Sequence, residues 1–261
     1  MAMSYRNLCG EIRSVFVRRS ALVAVVTAAV IASTAGCGTR SNAHQTTPSA
    51  TATTSVAPQG QSPCSDLDGS VRRDQTCAVR SATSAYTIDV SFPLDYPDVR
   101  SVTDFLKAER DAFLDWVGKF APSDGRGQPY QYVVTATTFR SGTPESGTQS
   151  SVLKIDNDSG LAHEGHPDTT FRAFNFDLGK RAPITFDTLF RVGTQPLELL
   201  NPIVRRELDA PTAELDEKTY QNFAITNEAV IFFFGQDQVV PDNAGPHQVT
   251  EPRSELASLL A

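Results

Sequence analysis

Histidine and cysteine are scarce in this chain, with four of each among 261 residues, beside a single tryptophan and two methionines. So few ligands and bases leave little room for a Cys/His metal centre or a histidine-driven active site. An excess of positive charge is also missing. Lys and Arg total 23 against 30 Asp and Glu, a formal charge of −7, with pI near 5.1. A nucleic-acid binder carries a basic face, so that class is not expected. No G-x-S-x-G pentapeptide marks a nucleophile elbow. No G-x-G-x-x-G or Walker A loop cradles a phosphate, and no H-E-x-x-H offers zinc ligands. No cofactor or metal is therefore expected. What is present is ordinary: 40% hydrophobic and 20% charged residues, enough for one globular domain with length to spare.

The first 36 residues read as a targeting segment rather than as fold. Arg6, Arg13, Arg18 and Arg19 form a positive n-region, and Ser20 to Gly36 then runs 17 residues without a charge. That is at or just below the short limit for a spanning helix. Arg18-Arg19 faintly resembles a twin-arginine signal and reads more simply as two n-region charges. Thr34-Ala35-Gly36-Cys37 resembles a bacterial lipobox, which would make Cys37 the lipidated first residue of the mature chain. Thr34 stands where Leu or Val is usual, so plain secretion and an uncleaved anchor remain as alternatives. Cleavage before Cys37 removes four basic residues and one acidic, leaving 19 against 29 and a net charge of −10. Such a surface repels anionic headgroups, so a membrane association would rest on the lipid.

Residues 38–63 hold ten Ser or Thr, one charge (Arg40) and no aromatic. Nothing there can bury a core, so 37–63 is expected to be a lipidated Cys37 on a disordered tether reaching roughly 30 Å. A globular domain is expected over 64–261. Cys64 and Cys77 remain as an even pair for an oxidising compartment. A disulfide is favoured over half of a metal site, because the domain has no other cysteine and the nearest histidine, His44, lies in the tether.

Periodicity supplies the elements. Tyr86, Ile88, Val90, Phe92 and Leu94 alternate with polar residues as in a half-buried strand. Val102 to Phe120 carries apolar residues at helical spacing behind a capping-box-like start at Ser101 and Asp104. Tyr130–Phe139 and Ser151–Ile155 read as a strand pair across a turn-rich stretch, and Thr170–Phe176 as another strand. Ile184–Phe190 reads as a strand edge running into a helical turn. Leu197–Leu208 reads as a second helix that begins or kinks at Pro202. Phe223–Ile225 and Val230–Phe234 suggest a hairpin whose second strand, apolar throughout, is covered on both faces. Residues 241–246 read as a loop, with a last helical turn at 255–260. Local hairpins with two amphipathic helices predict an α+β fold with a largely antiparallel sheet.

Several longer stretches carry a resemblance. ITFDTLF (Ile184 to Phe190), PIVRREL (Pro202 to Leu208), YQNFAITNEAVIFFF (Tyr220 to Phe234) and AGPHQVTEPRS (Ala244 to Ser254) resemble the mycobacterial secreted immunogenic antigen family. Upstream, FPLDYPD (Phe92 to Asp98), VLKI (Val152 to Ile155) and FRAFNFD (Phe171 to Asp177) continue the likeness, as does the Cys64…Cys77 spacing. The C-terminal module, roughly 165–261, resembles the ectodomain of the anti-sigma-factor family RsiV, a protein-binding sensor. The resemblance implies an α+β fold, export to the cell envelope or beyond, and immunogenicity. Sigma regulation needs a spanning helix and a cytoplasmic domain, which this sequence is not expected to have. Some family members are labelled short-chain esterases. The Cys37 lipobox and the long tether depart from the typical secreted members.

The residues weigh against hydrolysis without excluding it. Ala121-Pro122-Ser123-Asp124-Gly125, the nearest approach to a nucleophile elbow, reads as a loop after the helix. Of the histidines, His166 matches a family position and is the one candidate general base. His247 does not match, and His163-Glu164-x-His166 lacks further metal ligands. Phe232, Phe233 and Phe234 read as core, with a groove beside Tyr220 and Phe223 as the alternative. Arg205 and Arg206 read as a solvated pair. The expected function is that of a lipid-anchored envelope protein whose domain binds a protein, glycan or lipid. An envelope ester hydrolase using His166 is the alternative.

Overall fold

The computed structural model describes residues 62–124, 127–159, 167–241 and 244–261. The targeting segment, Cys37, the tether up to residue 61, His163 and His166 lie outside the described residues. In chain order the elements are β1 (Ser70–Val71), β2 (Thr76–Ala82), β3 (Tyr86–Pro93), α1 (Val99–Asp124), β4 (Tyr130–Ser141), β5 (Thr148–Asn157) and β6 (Asp168–Asp177). Then follow β7 (Ala182–Pro183), α2 (Phe186–Leu189), α3 (Pro196–Glu207), β8 (Phe223–Ile225), β9 (Ala229–Phe234), β10 (His247–Pro252) and α4 (Arg253–Leu256). The class is α+β, and the strands divide into two sheets.

The first seven strands form one sheet in sequence order. Every neighbour pair is antiparallel except β3 and β4, which run parallel. A parallel pair needs a crossover, and the 26-residue α1 supplies it. Helix α1 lays Val102, Leu106, Phe113 and Val117 on Ile88, Val90, Phe92, Tyr132, Val134 and Ile155. Its start differs from the sequence expectation. Asp98, not Ser101, is the cap: Ser101 N–H and Oγ–H both donate to its carboxylate, at 3.4 and 2.6 Å. Ser101 sits within the first turn instead. At the other end Ala121 to Asp124 continue the helix rather than forming a loop. Phe120 is half exposed, although its ring lies 5.1 Å from that of Trp116.

The disulfide Cys64–Cys77 joins the single helical turn at Ser65–Leu67 to β2, with both cysteines fully buried. Arg110 of α1 donates to the Leu67 carbonyl at 2.8 Å and so ties the same turn to the helix.

The second sheet has the order β10-β9-β8 and is antiparallel throughout. It packs on the face of the large sheet that α1 leaves free, where Ala224 and Phe233 meet Val152, Phe139, Phe171 and Ala173. Side chains alternate along a strand, so Val152 joins this contact while Leu153 and Ile155 join the α1 core. Polar groups align the two layers. Ile225 N–H donates to Ser150 Oγ at 3.1 Å, Asn175 Nδ2 to the Phe223 carbonyl at 2.9 Å, and Ala173 N–H to Asn222 Oδ1 at 3.0 Å. Those bonds account for the buried Ser150 hydroxyl and the Asn175 Nδ2, while Asn175 Oδ1 stays buried without a hydrogen-bond partner.

The outer face of the small sheet carries α2 and α3. Phe186, Leu200, Val204, Tyr220, Phe232 and Phe234 form its core. Strand β9 is thus covered on both sides, as its apolar run predicts. Tyr220, Phe223, Phe232 and Phe234 are buried core rather than the border of a groove. Helix α3 does not begin at Pro202. It opens at Pro196 and runs on through Pro202, held by Leu200 and Val204, both fully buried. A proline opening a helix sacrifices no bond, whereas Pro202 leaves one rung unmade, which the buried face offsets.

Candidate functional site

The small sheet leaves the β4 row of the large sheet partly open. Tyr132, Val134 and Ala136 point to α1, so Gln131, Val133, Thr135, Thr137 and Phe139 point the other way and floor a cleft. Its far wall is Phe233, Pro246, His247 and Gln248, from β9, β10 and the loop before β10. The cleft has two adjoining hollows of about 430 and 530 Å³ that share Lys154 and Pro246.

One end is apolar. The rings of Phe139 and Phe171 lie 6.0 and 5.4 Å from that of Phe233. The middle is charged but balanced. Lys154 Nζ donates to both Asp156 oxygens at 2.6 and 2.7 Å, and Thr169 Oγ1 donates to Asp156 at 2.6 Å. The opposite end is polar, where Gln236 N–H donates to the Thr169 carbonyl at 2.8 Å and Gln236 Oε1 accepts from Thr169 N–H at 3.3 Å. Rings, hydroxyls and one fixed ion pair along a single floor suit an amphipathic ligand. Recognition by a few placed polar groups on an otherwise apolar wall is the usual design of a binding cleft.

Of the sequence candidates, Cys64 and Cys77 come together as a disulfide in the core under α1, and Cys37 and His166 lie outside the described residues. Pro167, which follows His166, lines the polar hollow. His247 also lines the cleft, and its Nε2 is buried without a hydrogen-bond partner. Among the described residues no serine or threonine hydroxyl is bonded to a histidine. Arg206 is solvated as expected, paired on the surface with Glu207, whereas Arg205 is partly buried and donates to the Ala213 carbonyl. Sequence reasoning missed the cleft residues, since β10 itself was unread. HQVTEP has four polar residues and a proline and no clean alternation.

On the other side of β10 lies a second hollow of about 640 Å³ beneath α3. Leu199, Ile203 and Leu208 give it an apolar wall, and Glu207, Glu251 and Glu255 an acidic one. Glu251 is only 6% exposed. Burial above all, then the charges of Glu207 and Glu255, push its carboxyl above the usual range, against a smaller opposing pull from Arg206. The folded chain therefore keeps this proton at a pH where the unfolded chain has lost it, and the contribution to stability falls as pH rises through that window. Glu251→Gln removes the titration at nearly constant volume. We expect the variant to melt above the parent at about pH 7, with the gap closing near pH 4, where a free glutamate protonates. Thermal unfolding at both pH values checks this, and an equal gap at both would contradict it.

The segment from α2 through β10 has its own core and, but for Phe186, lies within one family match. Residues 187–254 match a family described as a protein of unknown function, DUF3298. That match falls inside the module expected over roughly 165–261. The chain is 41% identical over 207 residues to immunogenic protein MPT64 of Mycobacterium tuberculosis and to immunogenic protein MPB64 of Mycobacterium bovis, which covers 76% of this chain and 88% of each relative. It is 42% identical over 205 residues to esterase Rv3036c of Mycobacterium tuberculosis, covering 75% of this chain and 88% of that one. The chain belongs to the family of these mycobacterial immunogenic proteins.

Proposed function

We propose that this chain is an exported, lipid-anchored protein of the cell envelope, immunogenic through its exposure, whose domain binds a partner in the cleft beside β4. The charge-free Ser20–Gly36 behind four arginines, and Cys37 after it, support export and lipidation. Release to the extracellular space is the outcome if Cys37 is not lipidated. The disulfide suits an oxidising compartment, and two relatives are named immunogenic proteins. The binding reading is carried by the cleft itself, which sets aromatic rings, two threonine hydroxyls and the Lys154–Asp156 pair on one open floor. A protein, glycan or lipid ligand fits that chemistry, and the net acidic charge favours these over a nucleic acid.

Ester hydrolysis is the second reading, favoured by the relative named an esterase. It would use His166 as general base toward a serine nucleophile. Treatment of the purified full chain with an alkyl fluorophosphonate, followed by intact mass and adduct mapping, separates the two. We expect no stoichiometric adduct, and only background ester turnover that survives His166→Ala. A single serine adduct lost in His166→Ala would replace the binding reading with the hydrolase.

The anchor has its own test. Growth with an alkyne-tagged palmitate should label the chain, and Cys37→Ser should abolish the label and move the protein from the membrane fraction to the medium. A labelled Cys37→Ser variant, or a parent without label, would remove the lipid from the proposal.

A further inference from the structure

The free edge of β10 adjoins the hollow under α3, on the opposite side of β10 from the cleft. Strand β10 ends its sheet and pairs on the β9 side alone. Phe233 N–H donates to Asn222 and Thr226 N–H to Ala229, so the odd residues of β9 face β8, and Val230, Phe232 and Phe234 face β10. Their partners Glu251, Val249 and His247 thus spend their backbone groups on β9. Gln248 and Thr250 turn their N–H and C=O groups outward, and Pro252, lacking an N–H, closes the run. An unpaired edge of this kind is a template for one more strand.

The side-chain surroundings narrow the occupant. The α3 wall is apolar, and Glu251 lies in the hollow, 6% exposed, with no hydrogen bond or ion pair of its own among the described residues. The nearby Arg206 is held by Glu207 at 3.1 Å. A carboxylate so little hydrated, with Glu207 and Glu255 beside it and only Arg206 opposing them, favours an arriving cation. A second copy of this chain, joined through the same edge, is a poor occupant. Edge-to-edge pairing would set two groups of Glu207, Glu251 and Glu255 against each other. We infer that the β10 edge accepts an extended segment of a different protein, which adds a strand through Gln248 and Thr250 and places one Lys or Arg side chain on Glu251, with apolar residues against Leu199 and Ile203.

The test uses the full chain and a fluorescent, acetylated eight-residue peptide of alternating threonine and valine with one central lysine. A control peptide carries glutamate in place of lysine. Anisotropy titration should give saturable binding of the lysine peptide, with the glutamate peptide at least about tenfold weaker. Glu251→Gln should weaken the lysine peptide about tenfold, the loss of one buried charge pair. Thr250→Pro removes an outward N–H without touching the β9 ladder, and should weaken both peptides. Circular dichroism confirms that each variant is folded. No saturable binding, equal affinity for the two peptides, or unchanged affinity in either variant would overturn the inference. Because the cleft on the other face of β10 retains its residues in these variants, failure here leaves the cleft reading standing.

Discussion

Phe232→Ala is expected to lower the unfolding free energy by about 3–5 kcal/mol, the range for emptying a large aromatic from a packed core. Phe232 is fully buried, with its ring 5.4 Å from Tyr220 and 6.2 Å from Phe223. It lies at the centre of the contact that holds α2 and α3 on the small sheet. The hollow under α3 depends on that contact, so the variant should also lose the lysine-peptide binding. Urea unfolding followed by tryptophan fluorescence and by circular dichroism measures the loss. A change below about 1 kcal/mol would mean that the small sheet takes its stability from the large one rather than from its own helices.

Replacing Cys64 and Cys77 together by alanine is expected to cost about 3 kcal/mol in the chain-entropy account, for a loop closed over a sequence separation of 13. The surroundings leave the thiols little alternative. A side chain at Gly69 would come within 2.7 Å of Cys64 Sγ, so the turn is built tightly around the sulfur atoms. The same loss should follow reduction of the parent chain. A double variant that melts with the parent would show that Arg110 and the buried Leu67 hold the turn without the bond.

Both predictions concern features that differ in how readable they are from sequence. The apolar run of β9 announced a strand covered on both sides, because no surface strand tolerates Val, Ile and three Phe in succession. The alternation in β3 and the helical spacing of α1 were equally plain. Strands β2 and β10 were not. In β2 the buried residues Cys77, Ala78 and Val79 are consecutive and the last three are exposed, and in β10 one of the two buried positions is Glu251, so neither shows an apolar period of two. The α1 start was misread at Ser101 because Ser-x-x-Asp imitates a capping box, while the true cap, Asp98, sits inside the Pro97-Asp98 break. The cleft was illegible for a different reason. Its floor and wall, Thr135 and His247 for example, are more than a hundred positions apart, and only sheet packing brings them together.

Local periodicity by itself determined the α+β class, the two main helices and most strands, since burial of one face repeats every 2 or 3.6 residues whatever the rest of the chain does. Composition likewise determined the net acidic charge. Tertiary structure alone decided that the strands split into two sheets, that β3 and β4 pair in parallel around α1, and that β10 keeps a free edge. Those are choices of partner. A strand's own pattern says which face is buried but not which strand lies beside it. Neighbours are selected by the global fit of the layers, through contacts such as Ile225 to Ser150 between residues distant in the chain.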